Sequence, residues 1–175
     1  MTPSTDADRQ LELIAEVLDM ARELRIEIWL RGGWAMDFFL GRVSREHGDV
    51  DWFAWAEDAP TLAAAFTARD FVRLAKAPAA QQLDYSAGDV ELSIAFLARD
   101  PDGHVLVAGG PWAGARWPTG MLDTPAGRLR DLTCPIISPE AQIEIKLLTP
   151  SWMPNRPRRA KDAEDIDRLR AALAG

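Results

Sequence analysis

The sequence predicts an α+β fold in two layers, a mixed β-sheet core backed by helices with a helical part at the C-terminal end. Three observations point there. The chain opens on a long helical stripe, a series of strand candidates fills its middle, and it closes on two helix-forming segments around a Pro-rich turn. At 175 residues and 47% hydrophobic, it can bury one real core.

Apolar residues at Leu11, Ile14, Val17, Leu18, Ala21 and Leu24 form a helical stripe from Asp6 to Leu24, with Thr5 or Asp6 as its cap. "IEIWL" (26–30) reads as a strand broken by Gly32-Gly33, and "WAMDFFL" (34–40) as a short helix ended by Gly41. "DVDWFAWA" (49–56) is a second strand that puts Asp49 and Asp51 on one face, Val50 and Trp52 on the other. Residues 59–69 read as a helix after Asp58, followed by strands at 71–77, 81–86 and 89–98. The "DPDG" turn (100–103) leads into "HVLVA" (104–108).

The stretch 109–127, rich in Gly, Pro and Trp, has no clear period. It reads as an ordered loop, because Trp112 and Trp117 are costly to leave in water. A pair of short strands is expected at 127–132 and 134–138. Ser138 and Pro139 then start a helix through Leu148, and a last helix runs from about Arg158 to Leu173. Residues 1–108 would form the core unit, and 109–175 the loop, strands and helices that complete a cleft.

A net charge of -7 and a pI of about 4.9 disfavour sequence-independent binding to nucleic acid and suit a cationic small molecule. Cys134 is the only cysteine, so no intrachain disulfide can form, and its place before Pro135 in an apolar run reads as a small buried side chain. The N-terminus is polar and acidic, and no apolar run approaches the ~20 residues needed to cross a bilayer. A cytoplasmic protein with no membrane partner is expected.

The chemistry concentrates between Leu30 and Trp55. Aspartates at i and i+2 on a strand project their carboxylates together and repel, a conflict that a divalent cation removes. Mg²⁺ suits such a pair, since it takes hard oxygen ligands from one or two carboxylates plus substrate phosphates. Gly32-Gly33, between strand and helix, allows close backbone approach and leaves helix-start N–H groups for an anion. Together these are the parts that phosphoryl or nucleotidyl transfer requires.

"GGWAMDFFLGRVSREHGDVD" resembles the signature of the DNA polymerase β-like nucleotidyltransferases, and within them the small antibiotic enzymes acting on lincosamides and on the 2″ hydroxyl of aminoglycosides. Gly32, Gly33, Trp34, Ala35, Asp37, Gly41, Arg45, His47, Asp49 and Asp51 carry the likeness. "CPIISPEAQIEIK" (134–146) is similar to the lincosamide enzymes where they enter their helical part. The resemblance implies transfer of a nucleoside monophosphate from an NTP to a hydroxyl of a small molecule, with two Mg²⁺ ions and release of pyrophosphate. It implies Asp49 and Asp51 as metal ligands and a third carboxylate from a later strand as ligand and base. Glu91 in "GDVELSIAF" is the best match where the family usually has Asp, and Asp89 is the fallback.

Arg45 and His47 are implied to hold the triphosphate or order the loop, and Gly32 and Gly33 to cradle it. Lys146 is a candidate to reach the β/γ-phosphates across the cleft. His104, the other histidine, lacks ligand-spaced partners for zinc. Arg156, Arg158, Arg159 and Lys161 are followed by Asp162, Glu164, Asp165 and Asp167, which reads as helical charge pairing. Of the seven tryptophans, Trp29 and Trp34 are expected in the core, while Trp52, Trp55, Trp112 and Trp117 are core or acceptor-pocket residues. The same core acting on a protein or RNA, a catalytically degenerate nucleotide-binding member, and an interaction module with an idle Asp-x-Asp are the rival readings.

Overall fold

The computed structural model describes residues 5–152 and 159–175. Helix α1 (Asp6–Leu24) starts in a capping box in which the Thr5 side chain accepts from the Asp8 backbone N–H. It is followed by β1 (Ile28–Arg31), α2 (Gly32–Leu40), β2 (Val50–Trp55) and α3 (Ala59–Ala68). Strands β3 (Val72–Leu74), β4 (Gln82–Ala87), β5 (Val90–Arg99) and β6 (Val105–Val107) come next. A hairpin of β7 (Gly127–Leu129) and β8 (Leu132–Cys134) precedes helices α4 (Pro139–Trp152) and α5 (Ala160–Ala174). Among the described residues, no helix is long and apolar enough to cross a membrane.

The main sheet runs β1-β2-β5-β4-β3, and β6 pairs with β5 where β4 leaves off. It is mixed: β2 and β5 are parallel, and the other neighbours are antiparallel. Register makes its two faces different. The row Leu30–Trp52–Ile94–Leu83 is buried throughout, and Tyr85 on the same face stacks on Phe66 of α3 with centroids 4.7 Å apart. One residue further along, the row Arg31–Asp51–Ser93–Asp84 crosses the opposite face. The sheet is thus covered with hydrocarbon on one side and with charge on part of the other.

The strand pair expected at 127–132 and 134–138 closes earlier. Arg130 turns the chain with φ 51°, and the ladder ends at Cys134 because Pro135 has no N–H to donate. Residues 135–137 lie parallel to β1 instead, with the Leu30 N–H donating to the Pro135 carbonyl (2.9 Å) and the Ile137 N–H to the Leu30 carbonyl (3.0 Å). That segment covers the free edge of β1.

Helix α2 starts at Gly32, not after the glycine pair, and α4 continues past Leu148 to Trp152. The rest of the expected turn, from residue 153 on, and the expected helix start at Arg158 lie outside the described residues. Trp29, Trp34, Trp52 and Trp55 are buried, and Trp117 packs on Phe53 at 5.1 Å. Trp112 remains 49% exposed, contrary to the expectation that it would leave water, because it sits at the tip of a tight turn between Gly110 and Gly114.

Candidate active site

Site geometry begins with Gly32, which takes φ +68° as the chain leaves β1. A Cβ there would lie 3.1 Å from Asp51 Oδ2, so only glycine lets the start of α2 settle against that carboxylate. Gly33 lies under the loop that returns to β2. A Cβ at this position would meet His47 Nδ1 at 2.3 Å and Arg45 Nη2 at 2.8 Å. The first-turn amides of α2 have no acceptor within the helix, and they lie beside the Asp-x-Asp strand.

The loop over Gly33 is fixed from below by Asp37, a carboxylate buried in the apolar helix α2. Asp37 accepts from the Ser44 backbone N–H (3.1 Å) and hydroxyl, and from His47 Nε2 at 2.6 Å. Arg45 Nη1 lies 3.0 Å from His47 Nδ1. A guanidinium only donates, so Nδ1 accepts and the Nε2–H tautomer faces Asp37. The imidazole packs tilted at 43° on Trp34 with centroids 4.6 Å apart, and the Trp34 indole donates to Gln10 of α1 at 2.8 Å. Both ring nitrogens of His47 are therefore engaged in ordering the loop.

Arg45 is tied to the far end of the chain. Its Nε and Nη2 donate to the two oxygens of Asp165 on α5, at 2.9 and 2.7 Å. Asp165 is fully buried and also receives Lys146 of α4 (3.2 Å) and Arg168 (3.2 Å). Burial pushes its carboxyl up, but the Arg45 bonds and the Lys146 charge prevail and hold it below the usual carboxylate range. Lys146, expected to reach phosphate, is thus 13% exposed and committed to Asp165, with Asp162 at 3.8 Å.

Asp49 immediately precedes β2 and is exposed as a residue, whereas Asp51 is half-buried within it. The protein around the Asp49 carboxyl desolvates it, and the Asp51 charge adds to this. Together they hold Asp49 above the usual carboxylate range against the pull of Arg31 and Lys161, with Glu91 adding a smaller upward push. This crowding of acids is what a divalent cation would relieve, so the residues present fit Mg²⁺.

Asp51 Oδ1 accepts from the Ser93 hydroxyl at 2.6 Å, and Ser93 is its in-register partner on β5. Glu91 lies two residues earlier on the same face, in an ion pair with Lys76 from the segment between β3 and β4. Among the described residues, the only triad with ligand atoms mutually within 4.8 Å is Asp100, Asp102 and His104. It sits beyond the opposite end of β5, and Asp100 there already accepts from the Asp102 and His104 backbone N–H groups and from His104 Nδ1.

Several residues around the site drew no catalytic or binding role from the sequence. Arg31 reaches across it, donating to the Trp52 carbonyl, Gln82 Oε1 and Ser93 Oγ, each at 3.3 Å, with its guanidinium 5.1 Å above Phe53. Lys161, at the start of α5, stands within electrostatic reach of Asp49 and Arg45, and partial burial lowers its pKa. Asp37 had a legible signal, a lone acid inside "WAMDFFL", which needs partners to be buried. Asp165 had a weaker one, its place beside Ile166 and Leu169 on the inward stripe of α5.

A glycine turn pressed against an Asp-x-Asp strand, on a mixed sheet closed by C-terminal helices, defines a nucleotidyltransferase fold. The family model for aminoglycoside-2''-adenylyltransferases matches residues 13–168, and the chain belongs to that family. A 2''-aminoglycoside nucleotidyltransferase of Klebsiella pneumoniae is 48% identical over 42 residues, a stretch covering 24% of this chain and 24% of that relative. The lincosamide antibiotic adenylyltransferase LnuA, solved with lincomycin bound, shares the fold with a TM-score of 0.74 at 20% identity, covering 98% of this chain and 99% of LnuA. ANT(2")-Ia, solved with adenylyl-2"-tobramycin, shares it with a TM-score of 0.77 at 23% identity, over 94% and 90% of the two chains.

Proposed function

We propose that the protein is a Mg²⁺-dependent nucleotidyltransferase that moves a nucleoside monophosphate from an NTP to a hydroxyl of a small aminoglycoside- or lincosamide-like acceptor. The single observation that carries this reading is the approach of Gly32 to Asp51, which sets free helix-start amides beside paired acids. Asp49, Asp51 and Glu91 would hold Mg²⁺, which when bound supplies neutralisation of the triphosphate and activation of the acceptor oxygen.

The chain's own residues do the rest. Gly32 and Gly33 present N–H groups to the phosphates, and Lys161 adds a cation on that side of Asp49. Arg45 and His47 keep the loop over Gly33 in place, while Lys146 and Asp165 dock the C-terminal helices on that loop. The acceptor oxygen attacks the α-phosphorus, its proton passes to Glu91, and the bond to the β-phosphate breaks with pyrophosphate leaving. Trp117, partly exposed and packed on Phe53, offers an apolar surface for the acceptor. Mass spectrometry of the protein with Mg²⁺, all four NTPs and a panel of aminoglycosides and lincosamides tests the reading. A nucleotidyl adduct is expected, and its absence with every pair opposes catalysis.

One observation favours a second reading, a nucleotide-binding member without turnover. The residue facing Asp51 on β5 is Ser93, and Glu91 is engaged by Lys76. Mg²⁺-dependent NTP binding with no pyrophosphate release in the presence of any acceptor would select it.

A further inference from the structure

Building on the proposed metal site, we infer that Lys76 is a resident counter-cation that Mg²⁺ must displace from Glu91, with Asp84 receiving the released ammonium. Lys76 lies in the irregular segment between β3 and β4, and its side chain and that of Glu91 are both about half exposed, at 51% and 46%. Its ammonium therefore stands on the same face of the sheet as Asp51, and it feels the charges of Glu91, Asp84 and Asp49. A lysine in the shared field of three acids occupies the electrostatic position that a divalent ion would take.

Asp84 supplies the second half of the exchange. It is 4% exposed on β4, directly across from Ser93, and its Oδ1 accepts from the Gln82 amide at 2.8 Å. Its Oδ2 is buried with no hydrogen-bond partner among the described residues. A buried carboxylate oxygen without a donor is costly, so an ammonium released next to it is drawn there. Leu74 pairs with Asp84 in the β3–β4 ladder, and Asp84 is among the acids whose charge acts on Lys76, two residues on. Transfer of the ammonium from Glu91 to Asp84 would open Glu91 to the metal and satisfy Asp84 in one movement. Lys76 is thus a positioning residue that sets metal affinity.

The test is a Mn²⁺ titration of the full chain followed by electron paramagnetic resonance of the free ion, with a non-hydrolysable ATP analogue present. Lys76→Met should tighten Mn²⁺ binding about two- to fivefold, the span that an exposed ion pair sustains. That gain should vanish in the Glu91→Gln background. Asp84→Asn, which keeps a carbonyl for Gln82, should weaken binding by a similar factor because the lysine stays on Glu91. Unchanged or weaker binding in Lys76→Met, an equal gain without Glu91, or no effect of Asp84→Asn each overturns the exchange. The metal reading itself is separated by Asp51→Asn: if that variant binds Mn²⁺ as the wild type does, the site proposed above is wrong whatever Lys76 does.

Discussion

Replacing Gly33 with alanine adds one methyl group where the structure leaves no room. The new Cβ would sit 2.3 Å from His47 Nδ1, 2.6 Å from its Cε1 and 2.8 Å from Arg45 Nη2. Neither neighbour is a loose end. The imidazole is bonded through both nitrogens and packed on Trp34, and the guanidinium is locked on Asp165 by two bonds. Overpacking of this kind costs about 1–3 kcal/mol. At ~2–4 °C per kcal/mol for a chain of this size, a loss of about 2 kcal/mol lowers Tm by about 4–8 °C. Gly48→Ala is the control, since a Cβ there has nothing within 4 Å among the described residues and should leave Tm unchanged. Differential scanning fluorimetry of both variants decides the matter. A Gly33→Ala protein that melts with the wild type would refute the view that this loop is locked over the glycine.

Three further outcomes are expected. Asp51→Asn should abolish nucleotidyl transfer, followed by pyrophosphate release, while circular dichroism and the melting curve stay close to those of the wild type. Asp165→Asn should destabilise by about 3–5 kcal/mol in denaturant titration, because three cations lose a buried carboxylate. The pKa of Asp165 is depressed on folding, so its contribution is present above the ordinary carboxylate range and fades as pH falls through the folded value. Asp49 has the opposite sign: its folded pKa is raised, so the stability its proton provides is full at low pH and is lost as pH climbs through that value. Asp49→Asn should therefore raise the neutral-pH stability of the metal-free protein, and Mg²⁺ should raise the wild type more than the variant. Equal Mg²⁺ shifts would count against Asp49 as a ligand.

Much of the fold was legible because its signals are local. Period-two alternation located β2, strand-forming runs located β4 and β5, and the caps at Thr5 and Gly41 fixed ends of α1 and α2. The hairpin at 127–134 was misjudged at its boundary, since φ 51° at Arg130 is a tertiary choice that an arginine does not advertise. Docking of residues 135–137 on β1 is a pairing between distant segments, which periodicity cannot express.

At the site, the sequence marked the glycines and the Asp-x-Asp pair, because their chemistry depends on spacing along one short stretch. It could not show that Lys146 is spent on Asp165, or that His47 is bonded to Asp37, because those partners come from other elements. Nor could it show that Ser93, rather than an acid, stands opposite Asp51, since that depends on register between β2 and β5.

The most direct measurement is an anomalous-scattering map of crystals grown with Mn²⁺ and a non-hydrolysable ATP analogue. Peaks are expected against the carboxylates of Asp49 and Asp51, with the phosphates lying over Gly32 and Gly33. Manganese only at the Asp100, Asp102 and His104 turn, or none on this face of the sheet, would contradict the assignment of the site.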